Sequence, residues 1–188
     1  LGRISQSVFI RNLATLYVEF IRGVPMLVLI FFIALVGVPA VVSLLNIVGH
    51  WLQSIGAGFL AGPLIALENK NIDLNIRAII ALSVTYGAFL AEIFRAGIQS
   101  VGHGQMEAAR SQGMSFWQAM YYIILPQAIR LVLPPLTGLA VSLIKHSALV
   151  SVIAVADLTT EGRNLIADTF MTFELWFTGA ALYLALTT

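Results

Sequence analysis

The sequence predicts an all-α protein, a polytopic bundle of helices that crosses a membrane several times. Three observations carry this. Of its 188 residues 59% are hydrophobic and only 10% charged, where soluble domains run nearer a quarter charged. Mean hydropathy is +0.93. Apolar runs of spanning length recur along the chain, separated by polar stretches. The same composition excludes other classes. A formal net charge of +1 gives no basic field for nucleic acid, and the absence of cysteine excludes disulfides and thiolate metal sites. His50, His103 and His146 are far apart and show no metal-ligand spacing, so no metal is expected. Nothing in the chain implies a cofactor.

The elements follow in order. Phe9, Leu13, Leu16 and Phe20 repeat at helical spacing opposite a polar stripe of Asn12, Thr15, Glu19 and Arg22. This predicts an amphipathic helix from Gln6 to Arg22, lying in the membrane interface. Pro25 then opens a helix near its first turn, where a missing N–H costs nothing. Val24 to about Asn46 is long enough to cross, with Gly37 and Pro39 as kink positions. Ile76 to about Phe94 is a second crossing. Gln127 to about Ile144 is a third, bent by Pro134-Pro135. A fourth begins at Phe173 and reaches only Thr188, short of the ~20 residues a spanning helix needs. That run and the non-methionine start at Leu1 read as cut ends.

Two stretches resist assignment to spans. Ile47–Leu67 is moderately apolar but carries His50, Gln53, Ser54 and a GxxxG at Gly58/Gly62. Arg3, Arg11 and Arg22 precede the first crossing, and Arg95 and Arg110 follow the second. Positive residues favour the cytoplasmic side, so an even number of crossings separates the two groups. That predicts an external loop or surface helix for Ile47–Leu67. Ala148–Ala156 is apolar but too short to cross. It reads as a re-entrant or buried segment, tolerable only under cover of protein or a cavity.

Between the second and third crossings lies "GHGQMEAARSQGMSFWQAM". Gly102 and Gly104 break the preceding helix, and Glu107 falls in the first turn of a new one, at the positive dipole end. Gly113 is a left-handed stop. Ser115 opens S-F-W-Q, a capping box with Gln118, and Pro126 enters the next span. Two short helices joined at Gly113-Met114 make a rigid polar knob on the cytoplasmic face. The plain alternative is an ordinary loop between spans, but such a loop needs only a few residues and no caps.

The pattern E-A-A-x3-G-x9-I-x-L-P stands here in full as Glu107, Ala108, Ala109, Gly113, Ile123, Leu125 and Pro126. It resembles the EAA loop in the membrane subunits of bacterial ABC importers. "YVEFIRGVPMLV", "AEIFRAGIQSV" and "LPQAIRLVLPP" are similar to the polar amino-acid permeases of the histidine, glutamine and glutamate type, and the likeness runs from about Leu13 to Arg163. It implies a type I importer permease: one domain over 1–188 with a core of about five helices, the first missing here and the last truncated. It also implies a multi-pass place in the bacterial cytoplasmic (inner) membrane. The partners would be an ATPase dimer, a second identical or related permease subunit, a periplasmic or lipoprotein amino-acid binding protein and the lipid bilayer. Residues 103–126 would be the cytoplasmic coupling loop, with Glu107, Ala108, Ala109, Arg110 and Gly113 meeting the ATPase. The chain departs from the family at Gly102-His103, where relatives often carry Pro-Lys. It departs again at Lys145-His146-Ser147, where they often read Lys-Asp-Thr.

Inside the membrane, Ser83, Gly87 and Ala91 are small residues spaced by four, read as a packing face. Thr85, Ala88, Glu92, Arg95 and Gln99 form a second stripe, with Glu92 and Arg95 one turn apart and able to pair. Intramembrane charge faces protein or a pathway, so Glu92 is either a structural partner or a pathway group. Lys145 either snorkels to water or meets a substrate carboxylate, with Ser142, His146 and Ser147 beside it.

Three functions compete for a chain of this kind. No G-x4-G-K-[ST] occurs, so an importer subunit of this sequence must take its energy from a separate ATPase. An ion-coupled secondary transporter would need intramembrane carboxylates and an inverted repeat. Glu92 is the acid well inside a span, and no repeat is visible. An intramembrane enzyme would show G-x-S-x-G, H-E-x-x-H or paired aspartates, and none is present.

Overall fold

The computed structural model describes residues 7–188. The predicted start at Gln6, and Arg3 of the arginine count, lie outside them. The described chain is helix and turn with no strand. Three helical runs among the described residues are long and apolar enough to cross a membrane: Met26–Ser54, Leu74–Ser100 and Phe116–Ile153. The first begins two residues later than the sequence pattern indicated and ends further on, and the other two extend beyond the expected bounds at both ends.

The chain divides into two compact units. One is Leu1–Val24 with Thr85–Ile144, the other Pro25–Val84 with Lys145–Thr188. In the first, α1 (Val8–Gly23) is the predicted amphipathic helix. It buries Val18 and Ile21 and leaves Phe9, Leu13, Leu16 and Phe20 exposed. The remainder is the later part of α5 (Leu74–Ser100), the short helices α6 (His103–Ser111) and α7 (Phe116–Ala119), and most of α8 (Leu125–Ser147). Val101, Ile124 and Ala128 form its small core with Ile98, Met106, Met120 and Ile123 packed around them.

The second unit opens with a single run assembled from α2 (Met26–Phe31), a π-helical turn (Phe32–Gly37) and α3 (Val38–Ser54). Pro39 sits just beyond the π turn, as Pro126 sits just beyond the π turn Met120–Ile124. In a tight α-turn the pyrrolidine ring meets the carbonyl four residues back. The wider π turn makes room for it, so the helix runs on.

One expectation is corrected here. Ile47–Ser54 is neither loop nor separate surface helix: it continues α3. A short apolar helix, α4 (Gly58–Ile65), then folds back onto α3. Gly49 permits that approach, because a Cβ there would come 2.8 Å from Ile65 Cγ1. The Asn46 amide closes the hairpin by donating to the Leu67 carbonyl at 3.1 Å.

Ala148–Ile153 is a 3₁₀ turn with Val150, Ile153 and Val155 buried. They share a core with Ile30, Ala34, Ala78 and Ala81. The reading of Ala148–Ala156 as a segment covered by protein therefore holds. Two helices follow, α9 (Leu158–Thr169) and α10 (Thr172–Thr187), joined by the hydroxyl contact of Thr159 with Tyr183 at 3.2 Å. The latter is the short final run expected from Phe173.

Candidate functional site

The knob is built from backbone rules. Gly102 stands as N-cap in an extended conformation (ψ 135) and ends α5, as expected. Gly104 does not break the helix but lies inside α6. Glu107 is also displaced from its predicted place: the first turn of α6 has no acidic residue, and Glu107 sits one turn further in. The dipole argument for its carboxylate therefore weakens, since that field fades within the first turn.

At the other end of α6 the sequence reading holds. Gly113 has φ +83. The Met114 N–H donates to the Ala109 carbonyl at 3.2 Å, and the Gly113 N–H to the Arg110 carbonyl at 3.0 Å. This pair of bonds is a Schellman stop, and it needs the left-handed residue that glycine supplies. Ser115 and Gln118 then close the predicted capping box. The Ser115 N–H donates to Gln118 Oε1 at 2.8 Å, and the Gln118 N–H to Ser115 Oγ at 3.3 Å. With both turns satisfied internally, the knob keeps its shape without help from the membrane. Glu107, Ala108, Arg110 and Gly113 are exposed, while Ala109 is 2% exposed. The motif thus presents a carboxylate, a guanidinium and a methyl outward and spends one alanine on packing.

Glu92 is held on two sides. Arg95 donates to it twice, at 2.9 Å through Nε and 2.5 Å through Nη2, and Arg22 of α1 stands 3.8 Å away. Arg95 also donates to Gln99, and the Arg22 guanidinium lies 6.0 Å from the Phe89 ring centroid. The stripe Glu92–Arg95–Gln99 is thus one hydrogen-bonded network that pins α1 to α5. Tyr17, also on α1, has its phenol pushed above the usual range by burial. This geometry fits the structural reading of Glu92.

The remaining candidates occupy the end of α8. Ser142 is half-buried and donates to the Gly138 carbonyl at 2.9 Å, so its hydroxyl oxygen is left to accept. Lys145 and His146 are exposed in the last turn, where cations suit the helix C-terminus, and Ser147 is half-buried. Ser142, Lys145, His146 and Ser147 therefore share one helix end, whereas Glu92 is engaged on α5.

One group escaped the sequence reading. Asp157 caps α9 by accepting from the Thr160 N–H and hydroxyl at 2.8 Å through Oδ1. Its Oδ2 is buried without a hydrogen-bond partner. A carboxylate oxygen in that state is an acceptor awaiting a donor. The signal available was D-x-x-T after an apolar run, which reads as an ordinary helix cap.

Residues 1–188 match the family of binding-protein-dependent transport system inner membrane components. The chain is 40% identical over 175 residues to the probable glutamine ABC transporter permease protein GlnM of Bacillus subtilis (strain 168), spanning 93% of this chain and 68% of that protein. It is 32% identical over 176 residues to the glutamine transport system permease protein GlnP of Escherichia coli (strain K12), spanning 94% and 68%. Among solved structures, the crystal structure of an amino acid ABC transporter with histidines superposes with a TM-score of 0.76 at 35% identity. That match covers 99% of this chain and 74% of the other.

Proposed function

Because this chain belongs to the family of binding-protein-dependent transport system inner membrane components, we propose that it is the membrane subunit of an ATP-driven importer of polar amino acids. It works in the bacterial cytoplasmic membrane beside a second permease subunit, above an ATPase dimer and below an amino-acid binding protein. Residues 103–126 form the coupling loop of its single domain. The observation that carries this reading is the knob. A self-capped polar element between two spans is built to be held by another protein, and the chain has no phosphate-binding loop of its own. The engagement of Glu92 by two arginines speaks against an ion-coupled transporter, which needs a carboxylate able to exchange its charge.

For cargo, a zwitterion needs partners for both ends, since unpaired charge in low dielectric is strongly disfavoured. Lys145 supplies the cation for the α-carboxylate, with Ser142 and Ser147 as hydrogen-bonding neighbours. The unpartnered Asp157 oxygen is the acceptor for the ammonium, whereas the carbonyls freed by Pro134 and Pro135 lie roughly 20 Å along α8 from Lys145, too far to serve the same α-amino acid. His146, where related permeases often carry aspartate, removes a negative charge, which disfavours cationic side chains.

The test is ATP hydrolysis and uptake by the reconstituted complex, comparing glutamine, glutamate and arginine. Glu107→Lys should lower cargo-stimulated hydrolysis with the complex still inserted, and His146→Asp should raise the share of arginine. Full stimulation in Glu107→Lys would make the knob an ordinary loop. An arginine preference in the wild type, unmoved by His146→Asp, would remove the cargo site.

A further inference from the structure

The second unit holds an apolar recess of about 310 Å³ that the transport reading does not use. Its walls are Val42 and Leu45 on α3 and Ile80 and Val84 on α5, with the first π turn among its lining. Leu67 and Ile72 close one end. None of the lining side chains carries a donor or an acceptor. An ordered water needs two or more polar partners, and an amino acid needs partners for both charges, so neither belongs there.

Its depth follows from helix geometry. About 20 residues at 1.5 Å each match the ~30 Å hydrocarbon core. Counted from Met26, where the first run starts, that distance ends at Leu45. Asn46, bonded to the Leu67 carbonyl, then stands at the boundary. With Met26 taken as one edge of the hydrocarbon core, the recess falls at hydrocarbon depth and the 67–72 turn at headgroup level. That turn is stapled by Arg77, which donates to the carbonyls of Asn69 at 2.6 Å and Ile72 at 3.1 Å. Lys70 stands on the same turn, paired with Glu68 at 2.5 Å; both side chains are exposed, at 78% and 52%. An exposed pair of this kind is weak enough to yield a cation to a phosphate.

We propose that the recess is a lipid site. It takes one acyl chain of a phospholipid from the leaflet that the Leu67–Ile72 turn faces, with the phosphate beside Lys70 and Arg77. The volume is about twice the ~150 Å³ apolar cavity that accepts a benzene ring, so a run of methylenes fits. Lipid gains nothing hydrophobic by leaving the bilayer. Entry is favoured because an empty recess leaves its walls without dispersion partners.

The experiment uses the full transporter in vesicles of phosphatidylcholine carrying a mid-chain diazirine. Photolabelled peptides are mapped by mass spectrometry. The wild type should be labelled on the peptides holding Val42–Leu45 and Ile80–Val84. Val41→Trp, which adds bulk at a half-exposed lining position, should remove that labelling and leave α10 labelled as before. Three results would overturn the site. The wall peptides could stay unlabelled while α10 is labelled. Labelling could persist in Val41→Trp, which would reduce it to general bilayer contact. Val41→Cys could cross-link to another protein chain, which would make the recess a subunit contact. All three readouts are independent of transport.

Discussion

Two segments interrupt this membrane chain, and they solve the same problem in opposite ways. Residues 102–118 form a polar knob, and residues 148–155 stay apolar but abandon the α-helix. Each must find partners for backbone groups that a continuous helix would have paired. The knob does it with side chains and turns: a Schellman stop at Gly113 and a capping box at Ser115 and Gln118. Its surface is exposed and its buried apolar content small. The 3₁₀ turn does it by burial, with Val150, Ile153 and Val155 at 5 to 8% exposure in a core of alanines and isoleucine. Both contain one left-handed residue. The knob uses glycine, and the buried turn uses Ala154 at φ 60. The exposed knob is shaped by hydrogen bonds, and the covered turn is shaped by packing.

The largest expected effect lies in the buried turn. Ile153→Ala leaves a cavity among Ile30, Ala34, Ala78 and Ala81, and should cost about 2–5 kcal/mol of stability. Thermal unfolding of the purified complex should show it as a clear drop in Tm. An unchanged Tm would mean that packing does not hold this segment.

The next effect lies in the knob. Gly113→Val forces a β-branched residue to φ +83, at a cost of about 1–3 kcal/mol. The knob is small and exposed, so the strain should appear as lost ATPase stimulation more than as lost Tm. A fall in Tm as large as that of Ile153→Ala would show that the two segments are not different in kind.

The knob was legible in the sequence because its rules are local. S-F-W-Q and the glycine at 113 dictate geometry within four residues, and both stand where they were read. The buried turn was legible by elimination, being too apolar for water and too short to span. What escaped depends on distant residues. The fold-back of α4 needs Gly49 to meet Ile65, sixteen positions on, which no periodicity reports. The π turns before Pro39 and Pro126 let helices continue where a proline usually argues for a break or kink. The unpartnered Asp157 oxygen is a matter of what surrounds it, and the sequence shows only a cap.

Ser115→Ala is smaller again. It removes one half of the capping box, worth about 0.5–2 kcal/mol locally. Hydrogen exchange should quicken at the N–H groups of α7 and stay unchanged in Ala148–Ile153. Faster exchange in both would couple two segments that are held by different means.

The smallest effect has the opposite sign. Ala154 holds a left-handed conformation that costs an L-residue roughly 1–2 kcal/mol relative to the right-handed one. Its methyl is exposed, so replacing it by glycine removes no buried contact. Against the relief stands the added freedom of glycine in the unfolded chain, roughly 0.5–1 kcal/mol. The balance favours Ala154→Gly by about 0–1.5 kcal/mol, a rise of at most about 3–6 °C in Tm for a chain of this size. The mirror substitution in the knob, Gly113→Ala, meets the same two quantities with both signs reversed and should lose a comparable amount. Were Ala154→Gly to lower Tm instead, alanine would be making contacts at 154 that outweigh its strain, and the buried turn would owe its shape to that residue as well as to the packing around Val150 and Ile153.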